Sequence, residues 1–151
     1  MSTSSAAGVR HGAMWWFAVM GWMAIIFVFS SQPDSDLTHR QGIPVGIYKF
    51  AHLLVFGVLG FLVAGAMRHV DMPRSSLLAW VTVVLYAISD EIHQAFVPGR
   101  SPLVMDVVID SLGGIVGILA FGLAERLRVR GVRQSARVPT PQPKKSAEEE
   151  R

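Results

Sequence analysis

Polar and apolar positions along this chain fall into long blocks. Gly12 to Pro33 carries no charged residue and contains MWWFAVMGWMAIIFVF, long enough to cross a membrane unaided. Three further uncharged runs follow, Leu53–Met67, Ser75–Ser89 and Ser111–Ala124, of 15, 15 and 14 residues. Each falls short of the roughly 20 residues that a ~30 Å hydrocarbon layer requires, so each must take in polar neighbours at one end. The second run takes in Lys49 and His52, the third Asp90, Glu91, His93 and Gln94, and the fourth Asp106 and Asp110. The pattern predicts an all-α bundle of four transmembrane helices. A soluble bundle would need a charged outer face on each helix, and these runs have none.

Loop residues sharpen the boundaries. Val97-Pro98-Gly99-Arg100 suits a tight turn with proline at its second position and glycine at its third. Ser101-Pro102 reads as a helix cap followed by proline at the first helical position. Gly42, Pro44 and Gly46 end the first connection in the same way. The first apolar run is too long for a signal-peptide core and no A-x-A-like site follows it, so an uncleaved helix is expected. Arg10, Arg68, Arg74 and the arginines from Arg126 onward fall on one side of the four crossings, Arg40 and Arg100 on the other. The positive-inside rule then puts both termini in the cytoplasm and every recruited polar residue at the outer end.

Composition adds to this in two ways. Of 151 residues, 51% are hydrophobic and 17% charged, an excess that suits a single membrane domain. Residues 126–151 hold eight Lys/Arg against three Glu, whereas residues 1–125 hold six against eight. The sequence pI of about 9.8 therefore describes a tail. No aromatic residues interleave with its arginines, and nucleic-acid binding is not expected. The division expected is a cytoplasmic segment 1–11, a membrane domain 12–125 and a basic, disordered cytoplasmic tail 126–151. With no cysteine in the chain, disulfides and thiolate chemistry are excluded.

The chemistry concentrates in DEIHQAFVPGRSPLVMDVVID, Asp90 to Asp110. Ionisable groups near a bilayer core are costly, which makes such a cluster a candidate site. Lys49 and His52 share a helical face that Phe56 continues; Asp90, His93 and Gln94 share another, with Glu91 about a hundred degrees away. Asp106 and Asp110 lie one turn apart, and Gly113 and Gly117 continue their stripe with the small residues that let helices approach closely in lipid. The ligand-binding candidates are Lys49, His52, Asp90, Glu91, His93, Gln94, Arg100, Asp106 and Asp110, with Phe56 and Phe96 as apolar neighbours. If the pocket were catalytic, His52, His93, Asp90 and Glu91 would be the candidates. Arg100, just past the turn, is expected to fold back onto Asp106 together with Asp90. Without a recognised ligand spacing such as H-E-x-x-H, no metal and no cofactor is expected.

These residues resemble the VanZ-like family of small bacterial integral membrane proteins. The likeness spans roughly Phe29 to Phe121. It rests on FSSQP after the first helix, K-x-x-H at Lys49 and His52, D-E-x-x-Q-x-F-x-P-G-R from Asp90 to Arg100, and D-x-x-x-D-x-x-G-G-x-x-G from Asp106 to Gly117. Where the family usually shows asparagine, this chain has Asp110. The resemblance implies a multi-pass protein of the bacterial cytoplasmic membrane. It also implies an association with resistance to teicoplanin, a lipid-bearing glycopeptide that acts on cell-wall precursors, but no established reaction. The expected function is recognition of a membrane lipid or lipid-linked cell-wall precursor. A membrane-embedded hydrolase or transferase acting on a lipid head group remains open, as does a structural protein whose polar cluster only locks the helices.

The orientation is testable in a chain without native cysteine. A Ser35→Cys variant should be labelled by an impermeant maleimide in intact cells, and Arg130→Cys only after permeabilisation. The reverse pattern would invert the topology.

Overall fold

The computed structural model describes residues 3–33, 45–68 and 74–135. It holds four α-helices: α1, Thr3–Ser30; α2, Val45–Met67; α3, Ser75–Gln94; and α4, Val104–Ser135. No strand occurs among the described residues. All four helices are long and apolar enough to cross a membrane. The three short runs extend as expected, each taking in its polar neighbours. Outer faces carry large apolar side chains, among them Phe17, Met20, Leu85 and Leu119. Water would not tolerate so continuous an apolar surface, whereas lipid does.

The helix limits differ from the sequence reading in two ways. The first is that α1 begins at Thr3, inside the segment expected to precede the membrane, and α4 runs ten residues past Glu125 to Ser135. The start of the expected disordered tail is thus helical, with Arg126, Arg128, Arg130 and Arg133 exposed along it. A helix of 32 residues is about 48 Å long, so part of it must leave a ~30 Å hydrocarbon layer. Residues 136–151 lie outside the described part, as does Arg40. The second difference is that α4 starts at Val104, two residues beyond the proposed Ser101-Pro102 cap. The Leu103 N–H is taken by the Glu91 carboxylate, and an anion there also suits the helix dipole. The Val97–Arg100 turn forms as read: Arg100 N–H donates to Val97 O at 3.2 Å, and Gly99 takes φ 82°.

The centre of the bundle is α2, which packs most extensively on α4 and also touches α1 and α3. Glycines set the α2–α4 approach. A Cβ on Gly113 would run into the Leu53 carbonyl, one on Gly117 into the Gly57 carbonyl, and one on Gly60 into the backbone of Gly114. The opposite side of α2 meets α1 through bulkier groups: Val19, Ile26, Phe56, Leu59 and Val63 are buried there and in the adjoining core with Ala79, Val83 and Ala87 of α3. Away from the polar end, side-chain bonds fasten α1 to its neighbours, Trp22 Nε1–H to Val55 O at 2.9 Å and Tyr86 O–H to Met23 O at 2.6 Å.

Because the atoms facing Gly117 are backbone, they cannot rotate away. Gly117→Val should destabilise the protein by about 1–3 kcal/mol or more. Gly122→Val, with nothing within 4 Å of the added atom, should be near neutral. Thermal unfolding in detergent measures both, and equal effects would refute the seam.

Candidate functional site

The last turn of α1, the first two of α2, the last two of α3, the Arg100 turn and the first two turns of α4 meet at one end of the bundle. All nine ligand-binding candidates named from the sequence lie there. They divide into separate groups.

Arg100 organises the first. Its Nε–H donates to Gln32 O at 3.0 Å, Nη1 to the Tyr48 hydroxyl at 2.8 Å and to Gln94 Oε1 at 3.2 Å, and Nη2 to Phe29 O at 3.2 Å. Phe29 O is one of the carbonyls that the end of α1 leaves without a helical partner, and a cation suits that end of the dipole. Gln94 bridges inward, its Nε2–H donating to Asp90 Oδ2 at 2.8 Å. The same oxygen accepts from Ser30 Oγ at 2.8 Å, while Asp90 Oδ1 is buried without a hydrogen-bond partner.

The second group joins α2 to α4. His52 Nδ1 lies 3.1 Å from Asp110 Oδ1; a carboxylate accepts, so Nδ1 carries the proton. Asp110 is 1% exposed. Tyr48 and Phe56 flank the imidazole, with ring centroids 4.6 and 6.5 Å away. Lys49 Nζ stands 4.0 Å from Asp106 Oδ1.

Between α1 and α2 lies a cavity of about 320 Å³. Its floor is Trp22, Ile26, Val55 and Phe56; its polar head is Ser30, Gln32, Tyr48, His52, Asp90 and Arg100; Ile25, Phe29 and Ala51 form an exposed rim. Of the nine candidate ligand residues, His52, Asp90 and Arg100 line it. Gln94 and Asp110 stand behind them as positioning groups. The described residues bring no three carboxylate or imidazole groups around a common point where a metal would sit.

The expected Arg100–Asp106 pair does not form. Among the described residues no carboxylate oxygen lies within 4.0 Å of Arg100, and Asp106 turns to Lys49 instead. The turn carries the guanidinium toward the end of α1, where carbonyls wait. Glu91 is occupied at the start of α4. His93 faces away from the cavity, stacked on Phe27 at 4.3 Å and hydrogen-bonded to Ser31. Phe96 is 81% exposed and is no neighbour of the cavity. Tyr48 and Ser30 were missed by reading charges alone. Tyr48 precedes His52 by one helical turn, and Ser30 sits in the FSSQP run.

The polar residues converge in space as well as in order, and a family comparison decides their kinship. The VanZ/LLP1 family model matches residues 15–125. The chain belongs to the VanZ-like family. The matched span holds every residue of the cavity and ends where the arginine-bearing extension of α4 begins. With this membership and its four apolar helices, the protein is a multi-pass membrane protein. Neither curated proteins nor solved structures yield a match to the chain.

A double-mutant cycle separates the two partners of Arg100. Arg100→Ala and Gln94→Ala should be non-additive in thermal stability by about 0.5–3 kcal/mol, whereas Arg100→Ala and Asp106→Ala should add to within about 0.5 kcal/mol. The opposite result would restore the charge pair.

Proposed function

We propose that this VanZ-like protein recognises a lipid or lipid-linked envelope component at the outer leaflet of the bacterial cytoplasmic membrane. The observation that carries this reading is the cavity between α1 and α2, apolar over most of its surface and ringed at one end by polar residues. Its exposed rim gives a ligand a sideways route from the bilayer. Arg100 supports an anionic head group. Its positions are fixed by neutral acceptors, so its charge is not cancelled by a carboxylate partner, and a guanidinium is suited to forked recognition of phosphate. The family association with a lipid-bearing glycopeptide is consistent with a cavity of this kind.

A second reading has one specific observation in its favour. Asp110 holds the proton of His52 on Nδ1, while Nε2 makes no hydrogen bond among the described residues and the ring lines the cavity. A carboxylate-oriented imidazole with a free nitrogen is suited to act as a general base toward water at a head group. The earlier candidate His93 lacks this access.

Lipid mass spectrometry of the protein purified in mild detergent tests the first reading. Wild type should retain bound lipid, and Ala51→Trp, which fills the rim, should strip it while leaving the fold intact by circular dichroism. Equal lipid content in both would overturn the reading. Depletion of one lipid species over time, abolished by His52→Ala, would establish turnover in place of simple binding.

A further inference from the structure

The head of the cavity carries two opposite charges, one at each side of a single amide. Arg100 supplies the cation, and Gln94 links it to Asp90. Asp90 is 4% exposed and lines the cavity. Both of its hydrogen bonds fall on Oδ2, leaving Oδ1 buried without a partner. Buried polar atoms are almost always satisfied, and one that is not calls for an explanation. Because the Asp90 side chain lines the cavity, its unsatisfied oxygen invites a donor from a ligand seated there, and a charged donor most of all. The neighbouring walls suit such a donor, because the aromatic side chains of Trp22, Phe29 and Tyr48 line the same cavity.

We propose that the ligand head is zwitterionic, with an anionic phosphate against Arg100 and an N–H-bearing ammonium against Asp90 Oδ1, in the manner of an aminoalkyl phospholipid. This rests on the reading of the cavity as a lipid site and adds the head-group class. A purely anionic head would meet Arg100 but leave Asp90 Oδ1 unpaired and facing a like charge. A quaternary ammonium would satisfy the charge yet bring no N–H to the oxygen. The short spacer of an aminoalkyl phosphate matches two protein charges separated by one amide side chain.

Native mass spectrometry of the full chain in detergent tests this with lipids of identical acyl chains: phosphatidylethanolamine, its N-acetylated derivative, and phosphatidylglycerol. Wild type should prefer phosphatidylethanolamine over the other two by about tenfold, the scale of one charge-assisted hydrogen bond. Acetylation perturbs the ligand alone, so that comparison does not depend on a variant folding. Asp90→Asn should bring the three lipids near parity, and Arg100→Gln should weaken all three. Equal retention of the three lipids by wild type, or an unchanged preference in a folded Asp90→Asn, would overturn the zwitterion. Failure to bind any of them would instead overturn the lipid reading itself. Soluble phosphoethanolamine is the last arm. Displacement of bound lipid at comparable concentration would overturn a lipid source for the head group, and no displacement would support it.

Discussion

Backbone contact between α2 and α4 is the constraint on which the rest of this bundle depends. Lipid gives no hydrophobic reward for bringing two helices together, so close approach must come from packing of small residues. Gly57 and Gly60 on α2 face Gly113, Gly114 and Gly117 on α4, with carbonyls where side chains would otherwise stand. That proximity sets the polar end as well. Asp110 precedes Gly113 by three residues and His52 precedes Gly57 by five, so closing the seam brings the carboxylate onto the imidazole. Farther along, Gly65 makes room for the Trp15 ring of α1, whereas toward the polar end α2 meets α1 through Phe56, Val55, Ile26 and Trp22, whose bulk keeps the helices apart. The cavity lies in that wider gap.

Each acid at this end then has its own consort. Glu91 takes the Leu103 N–H, Asp106 lies near Lys49, Asp110 holds His52, and Asp90 accepts from Ser30 and Gln94. In a low-dielectric setting a charge needs either an opposite charge or a full set of hydrogen bonds. Arg100 has the second kind of support. Its donors give Phe29 O, which already accepts from the Gln32 N–H, a second bond and reach Gln32 O as well, while among the described residues no carboxylate pairs with the guanidinium directly. Stability and ligand attraction are therefore served by different properties of the same group, its geometry and its charge.

Helix number, the polar end and the close-packed stripe were legible because they follow from local rules. Uncharged runs of 14 or 15 residues that fall short of a bilayer had to borrow polar neighbours, and they did. Proline and glycine at positions 98 and 99 specified their turn. Pairings were a different matter. The choice of Asp106 for Arg100 considered only charges, whereas the decisive partners are carbonyls of Phe29 and Gln32, groups that every residue carries and that no side-chain code advertises. The same blindness hid Tyr48, a neutral hydroxyl beside a lysine that drew attention. His93 shares a sequence spacing with Asp90 and Gln94, but α1 covers that edge of α3 and draws the ring onto Phe27. The arginines after Glu125 were read as topological signals in a disordered tail, whereas the helix continues through Arg126 to Arg133 and ends at Ser135.

Carrying the site's cation on a turn gives it a placement that a helix could not. A helical arginine at the end of α3 would project along that helix's own surface, bound to its face. Beyond the Pro98-Gly99 turn the chain has reversed, and the positive φ of Gly99 permits the reversal without strain. Arg100 can thus reach α1, α2 and α3 at once, through Phe29 and Gln32, through Tyr48, and through Gln94. The three elements that bound the polar head are held at their ends by one planar fork. Lysine would keep the charge but not the simultaneous reach, since its single ammonium cannot present donors along both edges of a plane. The guanidinium at this turn therefore helps to hold the cavity's polar end together as well as charging it.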